Sequence, residues 1–263
     1  MTTTHTNQKF TSVGSRPVRH DGFDKVTGKA LYGADIDLPG LIHGKILRSP
    51  HAHAKILSID TSEAKKLPDV HAVITNHDFP TQEDKAVSKI PGPAINLKQQ
   101  TSNILASDKV LYKGHAVAAV AANSPHAAEE ALALIKVEYE QLSHVSTVEE
   151  AISDGAPLLH DQYKNNIASH DVLEIGDVDK GFNQADLVVE RKFRTSTVHQ
   201  GYIEPHSATG WWTANNKITI WGSSQGHFPI RDRTSLVLGV PVSAIKVIPM
   251  EIGGGFGGKT TIY

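Results

Sequence analysis

Cysteine is absent from the chain, which removes disulfides, thiolate zinc sites, cysteine-ligated iron–sulfur clusters and cysteine nucleophiles together. Any redox chemistry therefore has to use a bound cofactor. Long apolar runs are missing too: none approaches the ~20 residues of a membrane-spanning helix. The opening residues 1–10 have neither the basic nor the apolar region of a secretory signal. Nor is there a strong charge of one sign. A formal net charge of −2 over 263 residues gives no broad field, so nucleic acid and acidic membranes are not expected as partners. A cytoplasmic location is the resulting expectation.

The length suits two ordinary domains. Residues 1–14 are polar and aperiodic and read as a disordered lead-in. Strands are expected at 41–47, 56–59 and 70–75, with a short helix at 61–67 capped by Thr61 or Ser62. Residues 79–104, rich in Pro, Lys, Asp and Gln, read as a long surface loop. The run 117–121 suits a buried strand, and Ser124-Pro125 opens a helix to about residue 135. A strand at 137–139 follows, so this strand–helix–strand unit allows a parallel pairing. A capping box, Ser146-Thr-Val-Glu149, opens another short helix, and 153–183 is loop-rich. Beyond it come a strand at 187–193 and a hairpin, 208–213 and 218–221, turning at Asn215-Asn216. A helix at 229–238 is stopped by Gly239 and Pro241. A strand at 244–249 then runs into Gly253-Gly-Gly-Phe-Gly-Gly-Lys259. The domain boundary falls near 142–165, and the class is α+β (mixed α/β).

Five glycines around Phe256 make ordering this loop costly in entropy, so something approaches its backbone closely. Three readings stay open on the residues alone. The loop is a packing turn; or residues 253–260 are a phosphate loop, G-x-x-x-x-G-K-[ST]; or Gly253, Gly255 and Gly258 are a dinucleotide fingerprint. Both nucleotide readings require a helix directly afterwards, and only Thr261, Ile262 and Tyr263 remain.

The ordered blocks Arg19-His-Asp21, Lys25-Val-Thr-Gly-Lys-Ala-Leu-Tyr32, Arg48-Ser-Pro-His-Ala-His-Ala54, Tyr112-Lys-Gly114, Val117-Ala118, Ile135-Lys-Val-Glu-Tyr139, Glu204-Pro-His206, Ser224-Gln225 and the glycine loop resemble the large subunit of molybdenum hydroxylases. That family includes xanthine dehydrogenase, aldehyde oxidase, carbon monoxide dehydrogenase and 4-hydroxybenzoyl-CoA reductase. The resemblance covers about residues 13–263. It implies an α/β hammerhead domain at 15–145 and the N-terminal portion of a molybdopterin-binding domain at 146–263. It places Gln225 and Phe256 beside molybdenum as outer-sphere neighbours, and Gly254, Gly255, Phe256 and Gly257 along the pterin. A glutamine amide donates without carrying charge, and bare glycine amides suit an anionic dithiolene cofactor. The cytosine dinucleotide form of the pterin is among the cofactors the resemblance allows.

Other features carry less. His51-Ala-His53 has the spacing that puts two imidazoles on one strand face, but no third ligand is near in sequence. His199-Gln200 and Glu204-Pro-His206 lie near enough in sequence for a hydrolytic zinc or general-base reading, a weak signal, and the resemblance makes Glu204-Pro-His206 a structural element. His115 is given no function, and Trp211-Trp212 reads as packing on both strand faces.

The function implied is hydroxylation, or the reverse dehydroxylation, of an aldehyde, N-heteroaromatic or aromatic thioester, with oxygen from water. Thr260 stands where xanthine-oxidising relatives have a substrate-binding glutamate, which disfavours purines. No catalytic base is assigned in this chain; it is expected on a complementary molybdopterin-domain segment. With no cysteine here, the 2Fe-2S clusters belong on a partner iron–sulfur subunit, and FAD on a partner flavin subunit. The alternatives are a non-catalytic truncated homologue or assembly piece, and a nucleotide-binding domain using residues 253–260.

Overall fold

The computed structural model describes residues 11–84, 86–87 and 95–260. Residues 1–10 of the lead-in lie outside them. In chain order the elements are α1 (Gly22–Thr27), β1 (His43–Arg48), β2 (Ala54–Asp60), β3 (Val70–Thr75), β4 (Ala86–Val87), β5 (Ile95–Asn96), α2 (Leu97–Ile104), β6 (Lys109–Val110), β7 (Ala116–Ala122), α3 (Pro125–Leu134) and β8 (Lys136–Gln141). After these come α4 (Val148–Ala151), α5 (Val178–Asn183), β9 (Ala208–Trp212), β10 (Ile218–Gly222), α6 (His227–Leu238) and β11 (Ile245–Pro249). No helix among the described residues is long and apolar enough to cross a membrane.

The first half is built around β7, whose sequence AVAAVAA is buried along nearly its whole length. It takes β1 on one edge and β3 on the other, both antiparallel. Helix α3 covers this sheet. Its N-terminus is fixed as the sequence suggests: Ser124 Oγ accepts from the Ala127 amide at 3.1 Å, with Pro125 in the first turn. Ala127, Ala128 and Ala131 bring it close against Val73, Ala118, Val120 and Ala122. A second antiparallel sheet, β6-β2-β8, packs through Ile59 and Val137 onto the same core.

The parallel pairing allowed for β7 and β8 does not form. Strand β7 is apolar on both faces with both edges occupied. Strand β8 alternates apolar and charged residues and pairs antiparallel with β2, setting Glu140 opposite Lys55 and Glu138 opposite Ser58. Four further expectations are corrected. The helix at 61–67 is only a 3-10 turn, Ala64–Lys66, without a side-chain cap. The surface loop 79–104 contains α2, with Asn96 accepting from the Gln99 amide; its sequence LKQQTSNI is mostly polar and buries Leu97 and Thr101, one turn apart. The capping box sits one residue later, with Thr147 and Glu150 exchanging bonds. Residues 187–193 form no strand. They find no ladder partner among the described residues, and Leu187 and Phe193 are exposed.

In the second half, β10 lies between antiparallel β9 and parallel β11. The hairpin turns through Asn216 at φ +57°, a value Asn tolerates. Trp211 and Trp212 are both more than half exposed, so they do not pack on two faces of a core. Helix α6 stops at Gly239, φ +66°, and connects β10 to β11. The N-terminal segment reaches this half directly. Lys25 bridges Asp21 and Glu251, the Tyr32 and Glu251 backbones pair, and Gly33 packs on Ser207 and Ser223 so tightly that a Cβ would lie 2.9 Å from the Ser223 nitrogen.

His115 is fully buried and stacked on Tyr112. Its Nδ1 accepts from the Leu111 amide at 3.2 Å, so Nε2 carries the hydrogen donated to Ser102 O at 2.9 Å. Burial holds its pKa below the ordinary 6.5. Because the folded value is depressed, the unfolded chain takes up the proton first, and stability present at pH 7 is lost as pH falls through 6.5 toward the folded value. Thermal unfolding between pH 7 and 5 is expected to show this loss. His115→Gln is expected to flatten it.

Candidate functional site

Strand β10 ends at Gly222 and β11 at Pro249, and their parallel pairing puts the segments that leave them side by side. The first is Ser223-Ser224-Gln225 and the second is the glycine loop. Gln225 lies across the loop. Its Oε1 accepts from the backbone amides of Gly257 (3.0 Å) and Lys259 (3.2 Å), while its backbone N–H donates to Lys259 O at 2.8 Å. Two N–H donors on one side-chain oxygen identify that atom as the carbonyl. The side-chain nitrogen, Nε2, of exposed Gln225 forms no bond among the described residues.

The glycines serve two different purposes. At three positions the neighbour that excludes a side chain is the protein itself. A Cβ on Gly253 would lie 2.7 Å from Glu204 Cβ, on Gly255 2.5 Å from Gln225 Oε1, and on Gly258 2.8 Å from the Tyr202 ring. The packing-turn reading therefore accounts for those three. Gly254 and Gly257, at φ +101° and +89°, instead bend the loop through left-handed conformations. Between them Phe256 also takes a positive φ, +47°, with 73% of its surface exposed. A Cβ on Gly257 would meet nothing within 4 Å. The outer side of the loop is thus open, and strain is concentrated there.

Beneath the loop lies a buried ion pair. Lys259 Nζ meets Glu204 Oε2 at 2.7 Å with the lysine side chain 0% and the glutamate 10% exposed. The same oxygen accepts from the Gly253 amide at 2.7 Å. The ammonium lies 4.8 Å from the centre of the Tyr202 ring, and Tyr202 OH bonds His206 Nε2 at 2.6 Å. Burial, and then the nearby Lys259, lower the His206 pKa. This pair counts against the phosphate-loop reading, because a phosphate-binding lysine has to reach outward.

The structure therefore brings Gln225, Gly254, Gly255, Phe256 and Gly257 into one feature. Thr260 is exposed beside them, its hydroxyl donating to Gly257 O at 3.2 Å. The amides of Gly254, Gly255 and Phe256 bond nothing among the described residues. Consecutive N–H groups in a left-handed turn, with the free Gln225 amide, form a neutral donor set suited to an anionic group. The cavity of about 690 Å³ between the two halves, lined by Arg48, Ile74, Tyr112, His206, Ile220 and Val247 among others, includes none of these residues. His53 and His51 do not share a strand face. His53 is buried and its Nδ1 meets Ser143 O, whereas His51 rests edge-on against Tyr139. Sequence reasoning missed the role of Glu204 and Lys259 in holding the loop; the available signal was a charged residue closing an otherwise uncharged loop.

Comparison with known proteins bears on both halves. Residues 27–143 match the family model described as aldehyde oxidase and xanthine dehydrogenase, a/b hammerhead domain, and residues 159–263 match the molybdopterin cofactor-binding domain. The chain is 33% identical over 247 residues to the nicotinate dehydrogenase large molybdopterin subunit of Eubacterium barkeri, covering 94% of this chain and 55% of that one. It is 33% identical over 270 residues to the carbon monoxide dehydrogenase large chain of Afipia carboxidovorans, covering 97% of this chain and 32% of that one. The structure of quinoline 2-oxidoreductase from Pseudomonas putida superimposes with a TM-score of 0.78 at 29% identity, over 94% of this chain and 31% of that chain. The chain thus spans between about half and a third of the length of these relatives.

Gly255→Ala tests the geometry directly. The new methyl group has to push Gln225 off the loop, at about 1–3 kcal/mol of stability. Hydrogen exchange at the Gly257 and Lys259 amides is expected to rise, while the amides of β7 keep their protection.

Proposed function

The chain belongs to the aldehyde oxidase and xanthine dehydrogenase family, and we propose that its second half supplies one wall of a molybdenum–molybdopterin site in an oxidoreductase that hydroxylates its substrate with oxygen from water. The observation that carries this reading is the orientation of Gln225. With its carbonyl committed to the Gly257 and Lys259 amides, its side-chain nitrogen is left as an outward donor beside the amides of Gly254, Gly255 and Phe256, which are unengaged among the described residues. Those donors fit the group, being uncharged, convergent and mounted on a loop that the ion pair beneath it holds in place.

When bound, the cofactor supplies the two-electron redox centre for converting R–H and water into R–OH, two electrons and two protons. The residues of this chain bind and orient. Gln225 donates a hydrogen bond toward the cofactor, the amides of 254–256 meet its anionic portion, and exposed Phe256 packs beside it and keeps water away. Thr260, neutral and at the loop's outer end, faces the substrate. A hydroxyl cannot make a carboxylate's ionic contact, which disfavours purines and favours an aldehyde, an N-heteroaromatic or an aromatic thioester. Relatives named for nicotinate and quinoline support the N-heteroaromatic class. Three carboxylates of this half are engaged in ion pairs: Glu204 with Lys259, Glu251 with Lys25 and Asp232 with Arg231. We assign none of them the role of base.

The proposed domains are 15–145 and 146–263, a division supported by family matches that fall on either side of it. Electrons leave, in this reading, through a 2Fe-2S subunit and an FAD subunit in a cytoplasmic complex, with a complementary segment completing the pterin site. The cytosine dinucleotide form of the pterin belongs to the same proposal.

The purified complex containing this chain is expected to hold molybdenum and a pterin, checked by elemental analysis and pterin fluorescence. Gln225→Ala is expected to lower turnover by on the order of 10² with the unfolding midpoint unchanged, and Phe256→Ala to lower pterin retention. A complex with neither molybdenum nor pterin, or unaltered turnover in Gln225→Ala, would contradict the reading.

A further inference from the structure

We propose that Glu204 is a positioning residue for the cradle, acting through Lys259 to hold Gln225 with its amide nitrogen turned outward. One carboxylate oxygen ties the two ends of the loop together, since Glu204 Oε2 accepts from the Gly253 amide and from Lys259 Nζ, each at 2.7 Å. Gly253 has to be bare for the carboxylate to rise that close. Lys259 then passes the constraint on through its backbone. Its amide donates to Gln225 Oε1, and its carbonyl accepts from the Gln225 amide at 2.8 Å and from Ser224 Oγ at 3.3 Å. If the lysine side chain loses its anchor, both faces of Gln225 lose their reference.

Three features make this more than incidental packing. The pair is buried, and removing one partner leaves an uncompensated charge under the loop. The second carboxylate oxygen, Glu204 Oε1, is buried without a partner among the described residues, a cost that a purely stabilising ion pair has no reason to carry. Glu204 also anchors a segment with little other support, since it lies between exposed neighbours, Ile203 at 96% among them. The effect on turnover rests on the functional reading given above; the effect on the loop does not.

The test uses the intact complex carrying Glu204→Gln, Lys259→Met, the Glu204→Gln/Lys259→Met pair, and Glu204→Gln combined with Gln225→Ala. Hydrogen exchange at residues 253–260 is followed against β7 in cofactor-loaded and cofactor-stripped protein, with pterin content and kcat. Each single variant is expected to raise loop exchange about tenfold with β7 unchanged, and the neutral pair to recover most of the protection. Turnover is expected to fall about tenfold in Glu204→Gln. That loss should disappear on the Gln225→Ala background, because residues acting through one another are not additive; a merely structural role predicts additive losses. Unchanged loop exchange in Glu204→Gln, or additive losses, overturns the proposal. If a single variant also loosens β7, the neutral pair decides: restored protection upholds the clamp, and its absence overturns it. A complex without pterin whose loop still loosens in Glu204→Gln refutes the functional reading and leaves the clamp standing. Bound pterin with an unchanged loop does the reverse.

Discussion

Two backbone amides converge on one side-chain oxygen, Gln225 Oε1, and the second half of the molecule is arranged around that convergence. A side-chain amide has one acceptor end and one donor end, so engaging the first presents the second. The parallel pairing of β10 and β11 brings Gln225 within reach of the loop. Bare Gly255 lets it lie flat, and the buried Lys259–Glu204 pair keeps the loop from moving away. The surface that results is rich in uncharged donors and poor in charge, although two full charges lie directly below it. An anionic group meets hydrogen bonds there, and the ammonium that would otherwise attract it is already neutralised.

The first half serves this site indirectly. Strands β1 and β3 occupy both edges of β7 while the alanines of α3 cover its face, so β2, β6 and β8 form a separate three-stranded sheet packed against the same core. The connection to the second half is made partly by residues near the N-terminus. Lys25 joins Glu251 just before the glycine loop, and Gly33 lies against Ser223 just before Gln225. Both approaches to the cradle are thus braced by a segment that precedes the first long strand.

Elements whose signals are local were legible in the sequence. The uniform apolar run of β7, the Ser124-Pro125 start of α3, the Asn216 turn and the Gly239 stop each depend on a few adjacent residues, and each stands close to where the sequence puts it. What the residues alone left hidden depends on distant partners. Helix α2 has few apolar residues in its sequence LKQQTSNI, and it rests on α6, which the chain reaches more than a hundred residues later. Residues 187–193 have the composition of a strand but no ladder partner among the described residues. The cradle was only partly legible. Gln225 and the loop emerged from a family resemblance, whereas Glu204 and Lys259, 55 residues apart, come together only through the topology. The glycines also had a second meaning: three of them make room for the protein's own side chains.

The central claim is that a molybdenum centre lies against the open face of this loop. Anomalous diffraction from crystals of the cofactor-loaded complex, recorded on both sides of the molybdenum absorption edge, tests that claim most directly. A single edge-dependent peak beside the Gln225 amide nitrogen and the Phe256 ring is the predicted result. A peak elsewhere in a fully occupied complex, with the face formed by Gln225 and Gly254 to Gly257 against solvent, would contradict it.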